Sequence, residues 1–131
     1  MKVLVIDDSK FQRAALCCAL RKAGHEVITA GDGEEGLRVA RESHPEIILL
    51  DMLLPKLSGV EVLRILKQEQ QNGPPVVVLS ALSEKNCDKL MEEGAAGYVE
   101  KSAALLQGNC KHLLSLVAQL CRSKAELLSH A

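Results

Sequence analysis

Three short apolar runs each end in a polar residue: Val3-Leu4-Val5-Ile6 into Asp7-Asp8, Ile47-Ile48-Leu49-Leu50 into Asp51, and Val76-Val77-Val78-Leu79 into Ser80. Continuous β-branched runs of this length read as parallel strands buried on both faces, because a strand with one wet face would alternate. The polar residues then gather at the carboxyl ends of the strands, the edge where open α/β sheets bind ligands. Packing a small core does not require carboxylates there. Three of them meeting would repel by about 4 kcal/mol per pair at roughly 4 Å and an effective dielectric near 20. A divalent cation would cancel that repulsion, which makes Asp7, Asp8 and Asp51 candidate metal ligands.

Helical patterns separate the runs. Ser9 is a candidate N-cap for a helix reaching about Ala23, closed by Gly24. Val27 to Ala30 reads as an edge strand, and Gly31-Asp32-Gly33 as a turn. A second helix follows from Glu34 to about Glu42, with Leu37 and Val39-Ala40 facing inward and His44-Pro45 as its stop. Ser58 caps a third helix, whose Val60, Val62-Leu63 and Ile65-Leu66 form an apolar stripe to about Gln70. Asn72-Gly73-Pro74-Pro75 is a turn, and Ser83 caps a fourth helix ending near Gly94. Gly97 to Glu100 is a short fifth strand delivering Lys101. A last helix begins at Asn109, with Leu113-Leu114, Leu116-Val117 and Leu120 as its core face. Five β-α repeats joined by right-handed crossovers predict an α/β fold: a doubly wound five-stranded parallel sheet in flavodoxin-like order 2-1-3-4-5, with helices on both faces.

At 131 residues the chain is one domain, and its net charge of −1 offers no basic footprint for nucleic acid and no polybasic patch for a membrane surface. No apolar stretch approaches the roughly 18 residues needed to span a bilayer. A strand pattern also stands where a signal peptide would sit, so the expected location is cytoplasmic. The five cysteines show no C-x-x-C spacing and read as free thiols, and none of the four histidines has a metal-binding or catalytic spacing. The first helix carries Phe11 and the run Ala14 to Leu20, apolar around its whole circumference. Packing on a sheet consumes only one stripe of a helix, so part of this surface is expected to stay exposed and sticky.

Asp7-Asp8, then Asp51-Met52-Leu53-Leu54-Pro55-Lys56-Leu57-Ser58-Gly59, then Ser80-Ala81, then Tyr98-Val99-Glu100-Lys101 together resemble the CheY-like receiver domain of bacterial response regulators. The resemblance covers about residues 2 to 123, which makes 1–123 the receiver domain and leaves 124–131 as a C-terminal tail or the start of a linker. It implies that Asp51 is the phosphoacceptor, a carboxylate nucleophile forming an aspartyl phosphate. It further implies that Asp8 and Asp51 ligate Mg2+ directly, that Asp7 does so mainly through water, and that the main-chain carbonyl of Leu53 completes the set. Lys101 would pair with a phosphoryl oxygen and Ser80 would donate a hydrogen bond to another. Ser80 and Tyr98 would form the conformational switch. Phe11, Ala14, Ala15 and Cys18 would dock a sensor histidine kinase or phosphotransfer protein. The implied activity is a two-component phosphorelay switch that catalyses only its own phosphorylation and dephosphorylation, as a monomer or a weak phosphorylation-dependent dimer, without touching nucleic acid.

The family usually places Pro after the Lys, whereas Ser102 stands there, and the stretch from Ser102 to Gly108 looks longer than usual. Both changes fall on the face such domains use for output, which leaves the output partner open and keeps alive a receiver-like interaction scaffold that needs no phosphorylation. An aspartate-nucleophile phosphatase would need a D-x-D motif, but Leu53 occupies the second position. A flavin-binding reading fails because Asp7-Asp8 sits where a hydroxyl-rich phosphate loop would be required.

Overall fold

The structure, a computed structural model, describes residues 1–52, 54, 58–69, 73–80, 91–100, 111 and 113–120, with only the backbone of Ser80 and Glu100. Its described elements are β1 (Lys2–Ile6), α1 (Lys10–Lys22), β2 (Glu26–Ala30), α2 (Gly33–Ser43), β3 (Ile47–Asp51), α3 (Gly59–Glu69), β4 (Val76–Ser80) and β5 (Gly97–Glu100). Residues 113–120 are also helical. The sheet is parallel throughout, in the order β2-β1-β3-β4-β5, as the alternation of strand and helix patterns requires.

The apolar runs lack alternation because each strand feeds two cores. Val3 and Val5 of β1 join Ile47, Leu49, Val77, Leu79 and Val99 beneath α1 and the helical residues 113–120, whose Leu113 and Val117 are buried there. Leu4, Ile6, Ile48, Leu50, Val76 and Val78 point the other way, against Leu37 and Ala40 of α2 and Val62, Leu63 and Leu66 of α3. Val39, expected inward, is half-buried at the margin of this second core. Among the described residues, no helix is long and apolar enough to cross a membrane.

Local signals set most boundaries. Ser9 caps α1, accepting the N–H of Gln12 at 3.3 Å, and Gly24 leaves the helix at φ +93°, a conformation open to glycine at low cost. α2 starts one residue before the expected Glu34, because the Asp32 carboxylate accepts the N–H of Glu35 at 2.8 Å and turns the expected loop residue into a cap. It ends at Ser43, with His44 left-handed at φ 50° directly before Pro45. β2 gains Glu26, which pairs with Lys2. The start of the expected fourth helix, Asn109 and Gln70 lie outside the described residues, although Gly94 closes the stretch before β5 at φ +108°.

Candidate functional site

Strand register alone assembles the acidic residues. β1 and β3 run in step with Ile6 beside Leu50, so the next residue on each is an aspartate, Asp7 and Asp51. Asp8 follows at once. One carboxylate oxygen from each of the three lies within 4.8 Å of the others. Asp7 is fully buried and Asp51 is 2% exposed, whereas Asp8 faces solvent. Three hard oxygen donors with no imidazole or thiolate among them suit Mg2+, which prefers few carboxylates and keeps several waters. Two sealed donors and one wet donor match that preference.

The backbone around the cluster is held on several sides. The Asp7 N–H donates to the Ala30 carbonyl at 3.1 Å, one step beyond the β1–β2 ladder. The Ser9 N–H donates to Asp7 Oδ1 at 2.9 Å, fixing that carboxylate from the start of α1. Arg13 Nη1 donates to the Asp7 carbonyl at 2.7 Å. On the β3 side the Met52 N–H donates to the Leu79 carbonyl at 3.1 Å, and the Gly59 N–H to the Met52 carbonyl at 3.1 Å. Gly59 opens α3 so close to β3 that a Cβ would stand 2.6 Å from Met52 Cα and 2.7 Å from the Asp51 carbonyl oxygen. Only glycine fits there, and the final residue of the D-x-x-x-P-x-x-x-G spacing thus has a steric cause.

Ser80 ends β4 opposite Glu100 of β5, with its backbone one residue past Leu79, the partner of Asp51. Tyr98 is half-buried on β5 and packs against the core beneath α2 and α3. Leu53, Lys101 and Ser102 lie outside the described residues. On α1, Phe11 is 91% exposed, Ala14 and Cys18 are exposed and Ala15 is half-buried. Their spacing makes one apolar strip beside the acidic cluster, the sticky surface expected from the helix's composition. Cys17, one position away, turns into the core, where burial pushes its thiol above the ordinary cysteine value against the opposing pull of Arg21 and Arg13. Both Cys17 and Cys18 are free thiols, and Cys87, Cys110 and Cys121 lie outside the described residues.

The family model for the response regulator receiver domain matches residues 3–107. The chain belongs to the response regulator receiver domain family. The alkaline phosphatase synthesis transcriptional regulatory protein PhoP of Bacillus subtilis is 41% identical over 102 residues, covering 76% of this chain and 42% of PhoP. The transcriptional regulatory protein PrrA of Mycobacterium tuberculosis is 39% identical over 132 residues, covering 98% of this chain and 56% of PrrA. The receiver thus spans about half the length of these curated relatives. Among solved structures, the receiver domain of the Francisella response regulator 1452 superposes with a TM-score of 0.85 at 29% identity, covering 94% of this chain and 98% of that one. The Thermotoga maritima response regulator TrrA, solved in complex with Mg2+ and BeF, gives 0.80 at 29% identity, covering 91% and 97%. This receiver is a two-component signalling module, and its acidic cluster sits where the sheet reverses strand order.

Arg13 is the site residue that sequence reasoning passed over. Its signal was present: long helical side chains lean toward the helix N-terminus, so an Arg in the turn after the Ser9 cap reaches back to Asp7, two residues before that cap.

Proposed function

We propose that this receiver takes a phosphoryl group from a phosphohistidine of a sensor kinase or phosphotransfer protein onto Asp51. The supporting observation is the convergence of Asp7, Asp8 and Asp51 within 4.8 Å at the carboxyl edge of the sheet. An Asp51 carboxylate oxygen attacks phosphorus, the histidine N–P bond breaks, and the product is an acyl phosphate with a free imidazole on the donor. Bound between Asp8 and Asp51, with Asp7 acting mainly through water and the Leu53 carbonyl contributing, Mg2+ would neutralise charge that develops on the phosphoryl oxygens. Lys101 supplies a positive charge to one phosphoryl oxygen and Ser80 a hydrogen bond to another.

The chemistry is mostly positioning, so the receiver catalyses its own phosphorylation and dephosphorylation and no other reaction. Movement of Ser80 toward the phosphate, followed by burial of Tyr98, carries the signal to an output partner. The strip of Phe11, Ala14, Ala15 and Cys18 receives the donor's helices, with exposed Phe11 as its anchor. The switch works in the cytoplasm, where kinase donors are phosphorylated, as a monomer or weak phosphorylation-dependent dimer.

The experiment is incubation with a small phosphodonor and Mg2+, read by intact mass. One added phosphoryl group is expected for wild type and none for Asp51→Asn or with chelator. Unchanged wild-type mass would overturn the phosphoacceptor reading.

A further inference from the structure

We propose that Arg13 is a positioning residue for the metal site, acting through the peptide that joins Asp7 to Asp8. This rests on the reading of Asp7, Asp8 and Asp51 as a Mg2+ site. The carbonyl that Arg13 Nη1 holds at 2.7 Å belongs to Asp7, and that oxygen shares one rigid plane with the N–H of Asp8. Fixing the oxygen therefore fixes the plane from which Asp8 projects. Asp7 is already held by the Ser9 N–H on its carboxylate and by Ala30 on its own N–H. Asp8 is the exposed member of the cluster, so the direction of its carboxylate depends most on its backbone.

Arg13 is itself seated. A Cβ on Gly31 would stand 3.2 Å from Arg13 Nη1 and 3.7 Å from Glu35 Oε2, so the guanidinium and the carboxylate approach the same face of the loop between β2 and α2. Glu35 Oε2 accepts the Gly31 N–H at 3.1 Å, and the Asp32 cap holds the Glu35 N–H at 2.8 Å. The guanidinium thus bridges the end of β1 to a loop pinned at the start of α2. The absence of a side chain at Gly31 leaves room for it. A planar fork with several fixed donors suits this position, whereas a lysine would bring its charge as a single point.

The test is calorimetric titration of the whole chain with Mg2+, paired with the Mg2+ dependence of phosphorylation by a small phosphodonor. Removing a group that orients a ligand from behind weakens metal binding by about tenfold or more, so Arg13→Gln is expected to bind Mg2+ about tenfold more weakly. Its half-saturating Mg2+ for phosphorylation should rise equally, with the rate at saturating Mg2+ retained. Arg13→Lys should recover only part of the affinity. Ile48→Val, a mild truncation in the core, should lower the melting temperature and leave Mg2+ affinity unchanged, which separates positioning from general damage. Unaltered affinity in Arg13→Gln, or full recovery in Arg13→Lys, would overturn the positioning role while leaving the metal site standing. A wild type that binds no Mg2+ would overturn the metal-site reading and this proposal with it.

Discussion

Asp51→Asn should stabilise the protein in the presence of chelator, because the acidic cluster stores repulsion that one fewer charge relieves. The Asp7 and Asp51 oxygens approach within 4.8 Å and both side chains are buried. At that separation an effective dielectric of 20 gives about 3.5 kcal/mol of repulsion, and the pair with solvent-facing Asp8, at a dielectric nearer 80, adds only about 1 kcal/mol. The Arg13 guanidinium and the interactions that Asp7 and Asp51 already make offset part of this. A net gain of about 2 kcal/mol remains, or roughly 8 °C in melting temperature for a domain of this size. Mg2+ should reverse the order: at a hundred times its Kd it stabilises wild type by about 2.7 kcal/mol, more than the substitution gains. The assay is thermal unfolding of wild type, Asp51→Asn and Asp8→Ala, each with chelator and with Mg2+. A lower melting temperature for Asp51→Asn in chelator would refute the stored repulsion.

Gly59→Ala should cost about 2 kcal/mol, because its Cβ would collide with the backbone of Asp51 and Met52, and should slow phosphorylation as well; a melting temperature equal to wild type would contradict the steric account. Gly36→Ala should cost less in the same melts, since the nearest atoms to its Cβ belong to the Ile6 side chain, at 2.6 Å, and not to backbone, and a mid-helix alanine returns about 1 kcal/mol of propensity. Burial, aided by the N-terminal ammonium, holds the His25 imidazole below its ordinary value of 6.5. Its contribution to stability is therefore complete above that value and lost as pH falls through the lowered one. Between about pH 7 and about pH 5, wild type should lose stability more steeply than His25→Gln; parallel melting curves would contradict this.

The strand ends were legible because apolar runs without alternation have one main explanation, a parallel sheet covered on both faces, and chain order then fixes where Asp7, Asp51 and Ser80 fall. Ser9, Gly24 and Ser58 declared helix boundaries through local hydrogen bonds and backbone freedom that need no tertiary context. Asp32 reads from sequence as part of a turn because a capping carboxylate and a turn carboxylate look alike until the next residues commit to helix. Exposure of Phe11 followed from a helix with more apolar circumference than one sheet can cover. The reach of Arg13 back to Asp7 is contained in its spacing from the Ser9 cap, whereas the place of Gly31 beside it is not, since that depends on the loop between β2 and α2 meeting the first turn of α1, a contact that no spacing within one element encodes. Gly59 is visible as a motif residue, but its cause, the close approach of the start of α3 to the Asp51 carbonyl, is a tertiary fact that no local pattern carries.

The most direct test of the central claim is chemical trapping of the phosphorylated residue. Treating the receiver with a small phosphodonor and Mg2+, then with borohydride, reduces an acyl phosphate to an alcohol, and peptide sequencing by mass locates it. Homoserine at position 51, absent without Mg2+, is the expected result; homoserine at position 7 or 8 instead, or none anywhere, would contradict the assignment of Asp51 as phosphoacceptor.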